Sequence, residues 1–252
     1  MIFDKKTAQS YDEWLKSPAG YYIAGRQQKL ILDLTAPREG ETVLDVGCKS
    51  GQFLLLYRRH GCNVTGIDTS PAMIDLARKK LGRRADLYRG DLYDLPFSDN
   101  EFDVVSLIVS LEFCESPRHV VAEAVRVARN RIIIGFLNRY SPITTQRNTN
   151  TIFRHAFQSF GVWELKQMIK NLLSKTSIRW GTAIFLPPQW YPSFSVIEEC
   201  IPRMKNPLGS FGCCAFPIVY SQLTIQDPLE NSLKVGVRKG HRVPGPAREM
   251  KQ

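Results

Sequence analysis

The chain has 252 residues, 43% hydrophobic and 23% charged, the balance of an ordinary globular protein with one sizeable core. No apolar run approaches the about 18 residues of a membrane span, and Met1-Ile2-Phe3-Asp4-Lys5-Lys6 lacks the basic-then-apolar order of a secretory signal, so a cytoplasmic protein is expected. A formal net charge of +10 raises nucleic acid as a partner, but much of it falls in residues 232–252, where Lys234, Arg238, Lys239, Arg242, Arg248 and Lys251 face Glu249 alone, and a solvated, disordered tail is expected there.

Residues 5–15 and 22–34 read as two helices joined by Ser17-Pro18-Ala19-Gly20, a helical cap over residues 1–40. From 42 to 136, strand-like and helix-like segments alternate, the pattern of a parallel sheet with crossover helices. Residues 42–46 are the first strand and 52–59 a helix. The second strand, 63–67, ends at Asp68. Ser70 caps the next helix, Pro71 suits its first turn, Met73, Ile74, Ala77 and Leu81 form its apolar face, and Gly82 stops it. A short strand at 86–88 runs into Arg89-Gly90-Asp91-Leu92. The fourth, 102–108, is apolar enough to be buried on both faces. Ser116-Pro117 repeats the cap-and-proline signal for a helix leading to a fifth strand at 131–136. The right-handed crossover rule folds these into one doubly wound sheet with its ligand site at the carboxyl ends of the strands.

Beyond the fifth strand, residues 139–160 mix Arg147, Arg154 and His155 with Phe153, Phe157 and Phe160 in an irregular stretch. A helix at 163–173 then precedes strand-like 177–186 and 213–223, an antiparallel pair able to extend the sheet. The six cysteines, Cys48, Cys62, Cys114, Cys200, Cys213 and Cys214, lack metal-site spacing, and reduced, mostly buried thiols with no bound metal are expected. Cys213 and Cys214, as strand neighbours, point to opposite faces.

Asp45-Val46-Gly47-Cys48-Lys49-Ser50-Gly51 is the turn after the first strand. Glycine in such a turn admits positive φ and lets backbone approach a cofactor, and Lys49 stands where a glycine-rich loop carries another glycine. Three acids sharpen the reading: Asp45, Asp68 and Asp91 fall at or just beyond the ends of the first three strands. Asp68 lies about 20 residues beyond the loop, where an acid accepts ribose hydroxyls, and Asp91 lies where an adenine amino group is met. Asp45 argues against a pyrophosphate, because two anions would meet in a semi-dry cleft. S-adenosylmethionine carries an adenosine, a sulfonium and an ammonium but no phosphate, and suits an acid-rich cleft.

Residues 43–51, Asp68-Thr69-Ser70-Pro71-Ala72-Met73, Gly90-Asp91-Leu92, Leu95-Pro96-Phe97, Phe102-Asp103-Val104-Val105 and Leu111-Glu112-Phe113 resemble, in order, the motifs of class I S-adenosylmethionine-dependent methyltransferases. The group they resemble is the broad one of ubiquinone and menaquinone biosynthesis methyltransferases (methyltransferase type 11-like). The resemblance covers roughly residues 40–140, and more loosely 135–139 and 162–165. It implies a Rossmann-like α/β fold in a single domain, with a doubly wound, mostly parallel seven-stranded sheet whose last strand is antiparallel. The core would span 41–231, with a lid or acceptor segment at 139–175.

The same resemblance implies S-adenosylmethionine as cofactor and S-adenosylhomocysteine as product. Asp45, Gly47 and Gly51, with Cys48 and Lys49 between them, would surround the methionine part. Asp68 would hold the ribose, Thr69 and Met73 would lie along ribose and adenine, Asp91 and Leu92 would frame the adenine, and Ile108 would lie near the sulfonium. Tyr11 is similar to the N-terminal aromatic that covers such a cleft. The flexible stem of Lys49 is expected to carry its ammonium out to water, the alternative being that it bends toward the cofactor's one anionic group, the methionine carboxylate.

Methyl transfer from a sulfonium is an in-line displacement that chiefly needs alignment. Glu112, after the fourth strand, is the candidate general base, with a surface ion pair as its alternative. His119 is expected to be structural or solvated. Phe153, His155 and Phe157 are expected to line a pocket for a small, hydrophobic or amphipathic acceptor. An RNA methyltransferase is the nearest rival, but no Asn/Asp-Pro-Pro-aromatic or Pro-Cys motif follows the fourth strand. A nicotinamide dehydrogenase would need the glycine that Lys49 replaces, and Lys49 also motivates a non-catalytic binding protein.

Overall fold

Alternation along the strands divides the apolar side chains between two faces of one sheet. In β1 (Thr42–Val46) Val43 packs on one face and Leu44 and Val46 on the other. In β4 (Phe102–Ile108) Val104 and Ile108 oppose Val105 and Leu107, and in β5 (Ala128–Leu137) Ile133 opposes Ile132 and Ile134. The expectation that the fourth strand is buried on both faces is met. These features come from a computed structural model that describes residues 3–141, 143, 156–173, 176–187 and 190–218. The expected tail at 232–252, with Phe153 and His155, lies outside the described residues.

The remaining strands are β2 (Asn63–Asp68), β3 (Asp86–Arg89), β6 (Arg179–Ala183) and β7 (Phe211–Pro217), giving the order β3-β2-β1-β4-β5-β7-β6. β1 is parallel to β2 and β4, β2 to β3, and β4 to β5. β7 runs antiparallel to both β5 and β6, so the last strand alone is reversed, as the resemblance implied. The chain winds outward from β1 to β3, then returns beside β1 as β4. This reversal of winding direction opens a crevice at the carboxyl ends of β1 and β4.

Seven described helices cover the sheet: α1 (Lys5–Lys16), α2 (Pro18–Thr35), α3 (Gln52–Arg59), α4 (Pro71–Leu81), α5 (Pro117–Val127), α6 (Val162–Leu172) and α7 (Tyr191–Cys200). Leu30, Ile31 and Leu34 of α2, Leu54 and Tyr57 of α3, and Met73, Ile74 and Ala77 of α4 join Val43 and Val104 in one core. Val120, Val121 and Ala124 of α5 and Leu165 and Ile169 of α6 join Leu44 and Val105 in the other. No described helix is long and apolar enough to cross a membrane.

Two elements differ from expectation. Ser17-Pro18-Ala19-Gly20, read as a joint, is the cap and first turn of α2: the Ser17 hydroxyl accepts the Gly20 N–H at 3.1 Å, with Pro18 in the first turn. The same signal was read as a helix start at Ser70-Pro71, where Ser70 accepts the Met73 N–H at 3.3 Å. Helix α7 was not anticipated because no apolar stripe marks it: Val196 and Ile197 are exposed, and Glu198 accepts the N–H groups of Phe185 and Leu186. Cys213 and Cys214 fall in opposite cores, as strand neighbours must.

Candidate functional site

A cleft of about 190 Å³ opens at the carboxyl ends of the strands and is lined by segments that follow all four strands from β3 to β4. Gly47 and Lys49 follow β1, Asp68 and Thr69 end β2, Asp91, Leu92 and Tyr93 follow β3, and Ser110, Phe113, Cys114 and Glu115 follow β4, with Phe3 completing the wall. Gly47 has φ +74°, and a Cβ added there would lie 2.6 Å from the Cβ of Ser110, so glycine alone lets the loop approach the turn after β4. The Ser110 hydroxyl is buried and has no hydrogen-bond partner among the described residues, which leaves a polar group in the wall for a ligand to satisfy.

Asp68 binds the loop through both carboxylate oxygens. Its Oδ2 accepts the Lys49 N–H at 2.9 Å and its Oδ1 the Ser70 N–H at 2.8 Å, and a carboxylate retains further lone pairs for a ribose. Burial raises its pKa, opposed by those two hydrogen bonds and by Lys49. Asp45 is 1% exposed and does not line the cleft. Burial lifts its pKa from 3.8 to about 7, Lys49 and Ser106 pull it down, and Asp68 pushes it up. Although Ser106 is near enough to exert that pull, neither Asp45 oxygen has a hydrogen-bond partner among the described residues.

The expectation of a solvated Lys49 ammonium is corrected. Lys49 has φ +49° and is 6% exposed, and its Nζ donates to the carbonyls of Ile108 and Val109, both at 2.9 Å. The stem bends inward because the left-handed loop directs it beneath the turn after β4, where two carbonyls replace its water shell. Burial pushes its pKa down, while Asp68, Asp45 and Glu112 hold it up. Val109 has φ +52°, a strained backbone for a β-branched residue and a feature that clusters at functional sites.

The other expected residues divide. Thr69, Asp91 and Leu92 line the cleft; Asp91 Oδ1 also accepts the Tyr93 N–H at 3.0 Å. Met73 and Cys48 are core residues, Gly51 starts α3 at φ +79°, and Ile108 reaches the site through its carbonyl while its side chain is buried. Tyr11 is buried in α1, stacked on Trp14 at 6.1 Å, with its pKa raised by burial and by Asp45 and Asp12. The N-terminal aromatic that lines the cleft is Phe3, edge-on to Phe113 at 5.1 Å and held by the Ser70 hydroxyl, which donates to its carbonyl at 2.7 Å. Glu112 does not line the cleft: Oε1 accepts the Leu137 N–H at 2.6 Å, and its carbonyl accepts the Phe157 N–H at 2.8 Å. Phe157 is exposed beside that turn, and His119 is exposed with its ring 5.7 Å from Tyr93.

Sequence reasoning missed Phe3, Tyr93, Ser110, Phe113, Cys114 and Glu115 as lining residues. The last four follow β4, so strand-end position was a usable signal for them; Phe3 had none.

Residues 44–134 match the family described as a methyltransferase domain. The chain is similar to malonyl-[acyl-carrier protein] O-methyltransferase of Pectobacterium atrosepticum, 34% identical over 107 residues that cover 42% of each chain. It is also similar to demethylmenaquinone methyltransferase of Thermotoga maritima, 27% identical over 154 residues, covering 60% of this chain and 66% of that one. The matched stretch thus spans about two fifths of the length of the first relative and just under two thirds of the second. A solved structure from Thermotoga maritima, described as an S-adenosylmethionine-dependent methyltransferase and possible histamine N-methyltransferase, superposes with a TM-score of 0.69 at 19% identity, covering 85% of this chain and 97% of that one. Residues 44–134 thus resemble a methyltransferase domain, and the chain has the seven-stranded fold of the class I S-adenosylmethionine-dependent methyltransferases.

Proposed function

We infer that the protein is an S-adenosyl-ligand-dependent methyltransferase acting on a small molecule. The observation that carries this reading is the cleft at the point where the winding reverses, in which Gly47, Asp68, Thr69, Asp91, Leu92 and a Ser110 hydroxyl without a partner among the described residues converge from four strands. The residues suit the adenosyl part of such a cofactor: Asp68 accepts from the ribose, Asp91 and Leu92 frame the adenine, and the Gly47 loop passes close to the chain that follows. The bound cofactor supplies a methyl group on a good leaving group, so the protein's task is to exclude water and hold the acceptor in line.

The acceptor is proposed to be hydrophobic or amphipathic. Phe157 and the described end of the 139–175 segment stand beside the 111–113 turn, and Gln158 ties them there by donating to the Cys114 carbonyl at 2.9 Å. Glu112 is proposed as a positioning residue that joins this turn to the end of β5. A Phe157→Ala variant is expected to raise the acceptor KM several-fold without changing cofactor affinity.

Titration calorimetry with S-adenosylmethionine, S-adenosylhomocysteine and 5′-methylthioadenosine, followed by a methyl-label transfer screen against cell extract, tests the reading. Binding of none of the three at millimolar concentration would sink it.

A further inference from the structure

The strand order gives an adenosyl ligand a direction. With its adenine at Asp91 beyond β3 and its ribose at Asp68 beyond β2, the rest of the molecule passes over the Gly47 loop toward the turn after β4. Neighbouring strands lie about 4.8 Å apart, so the tail reaches roughly 5–10 Å past the ribose. Lys49 already occupies that end. Its ammonium holds the Ile108 and Val109 carbonyls at 2.9 Å each and lies 5.8 Å from the centre of the Phe113 ring. One of these carbonyls sits on the strained Val109 backbone, so the arrangement is held by the surrounding fold.

An S-adenosyl ligand with an amino-acid tail brings an ammonium of its own. A second ammonium beside a buried one is repelled, and the Ile108 and Val109 carbonyls each already accept one hydrogen bond from Lys49. An ammonium has three N–H donors, and Lys49 spends two on the carbonyls, which leaves one for an acceptor on the ligand. A carboxylate there would gain a charge-assisted hydrogen bond.

We propose that Lys49 stands in for the ligand's ammonium and sets the specificity of the cleft, which takes an adenosyl ligand whose tail presents a carboxylate or a neutral group and no ammonium at this end. This rests on the adenosyl-ligand reading above. A lysine that merely braced the loop against the turn after β4 would not change the ranking of ligands.

The test is calorimetry on the full chain with three probes: 5′-methylthioadenosine, S-adenosylhomocysteine, and the deamino analogue of S-adenosylhomocysteine, which keeps the carboxylate and lacks the ammonium. Wild type is compared with Lys49→Met, which keeps the apolar stem, and Lys49→Gly, which suits the left-handed backbone. Wild type is expected to bind the deamino analogue at least about tenfold tighter than S-adenosylhomocysteine, and both variants to reverse that order while their affinity for 5′-methylthioadenosine moves less than about threefold. Preference of wild type for S-adenosylhomocysteine, or a preference for the deamino analogue that survives in both variants, overturns the proposal and leaves the adenosyl reading standing. Failure of all three probes to bind any form overturns the adenosyl reading, and this inference with it.

Discussion

Lys49 shows how a side chain can be placed by its backbone. At φ +49° a lysine costs on the order of 1 kcal/mol more than glycine, and the two carbonyls it bonds offset the loss of its hydration. Behind it, Asp45 makes stability depend on pH. In the unfolded chain this carboxyl ionises near 3.8, in the fold near 7, so below pH 4 it is protonated in both states and its contribution is fully present. As pH rises from 4 through 7 the unfolded state sheds its proton first and stability falls, by at most about 4 kcal/mol. Asp45→Asn is therefore expected to flatten the melting temperature between pH 4 and 7 and to melt higher than wild type at pH 8; an unchanged slope would show that the carboxyl is not buried as described. Asp68→Ala is expected to weaken binding of 5′-methylthioadenosine by more than about tenfold, or 1.4 kcal/mol, in calorimetry, because it removes the acceptor proposed for the ribose and releases the Lys49 and Ser70 N–H groups together.

Helix α1 is fastened to the site by charge as well as by its buried Ala8 and Tyr11. Lys80, on α4, pairs with Asp12 on α1 and donates to the Ser50 hydroxyl at 2.8 Å, while Lys16 reaches Asp12 at 2.9 Å. These contacts hold the Asp12 pKa down against the burial that raises it. The loop that carries Lys49 is thereby linked to the helix that follows Phe3. Lys80→Met leaves Asp12 with Lys16 alone and is expected to speed hydrogen exchange of the α1 amides by about tenfold while β4 and β5 keep their protection. Equal loss of protection in α1 and the sheet would mean that the pair supports the whole fold. Ser17→Ala, which removes the cap of α2, should cost about 1 kcal/mol in denaturant unfolding.

The two cores meet through a sheet whose central strands are buried on both sides, and its far half depends on a close fit. The Phe136 ring of β5 packs over Gly212 of β7, where a Cβ would collide with it, and Phe136 is fully buried. Phe136→Ala should lower unfolding stability by about 3–5 kcal/mol, seen as a lower denaturant midpoint with an unchanged slope. Because the cleft spans four strands of that sheet, a ligand saturating it at 100 times its Kd should stabilise the fold by about 2.7 kcal/mol, and a thermal-shift series with the three adenosyl compounds would rank them by the same specificity as calorimetry.

The strands, the central helices and the three strand-end acids were legible in the sequence because each rests on local rules. Period-two burial gives β1, β4 and β5 their two faces, Ser70-Pro71 starts α4, and strand ends put Asp68 and Asp91 at one edge of the sheet. The same rules failed where no period exists: Val196 and Ile197 of α7 are exposed, and Phe3 is held in the cleft wall by the Ser70 hydroxyl on its carbonyl and by the Phe113 ring. What the sequence by itself determined is the doubly wound sheet and the acids at the strand ends of its cleft. What only the tertiary structure decided is the direction of the Lys49 ammonium and the isolation of Asp45, since both depend on which carbonyls and charges distant segments bring within a few ångströms, and no spacing along the chain records that.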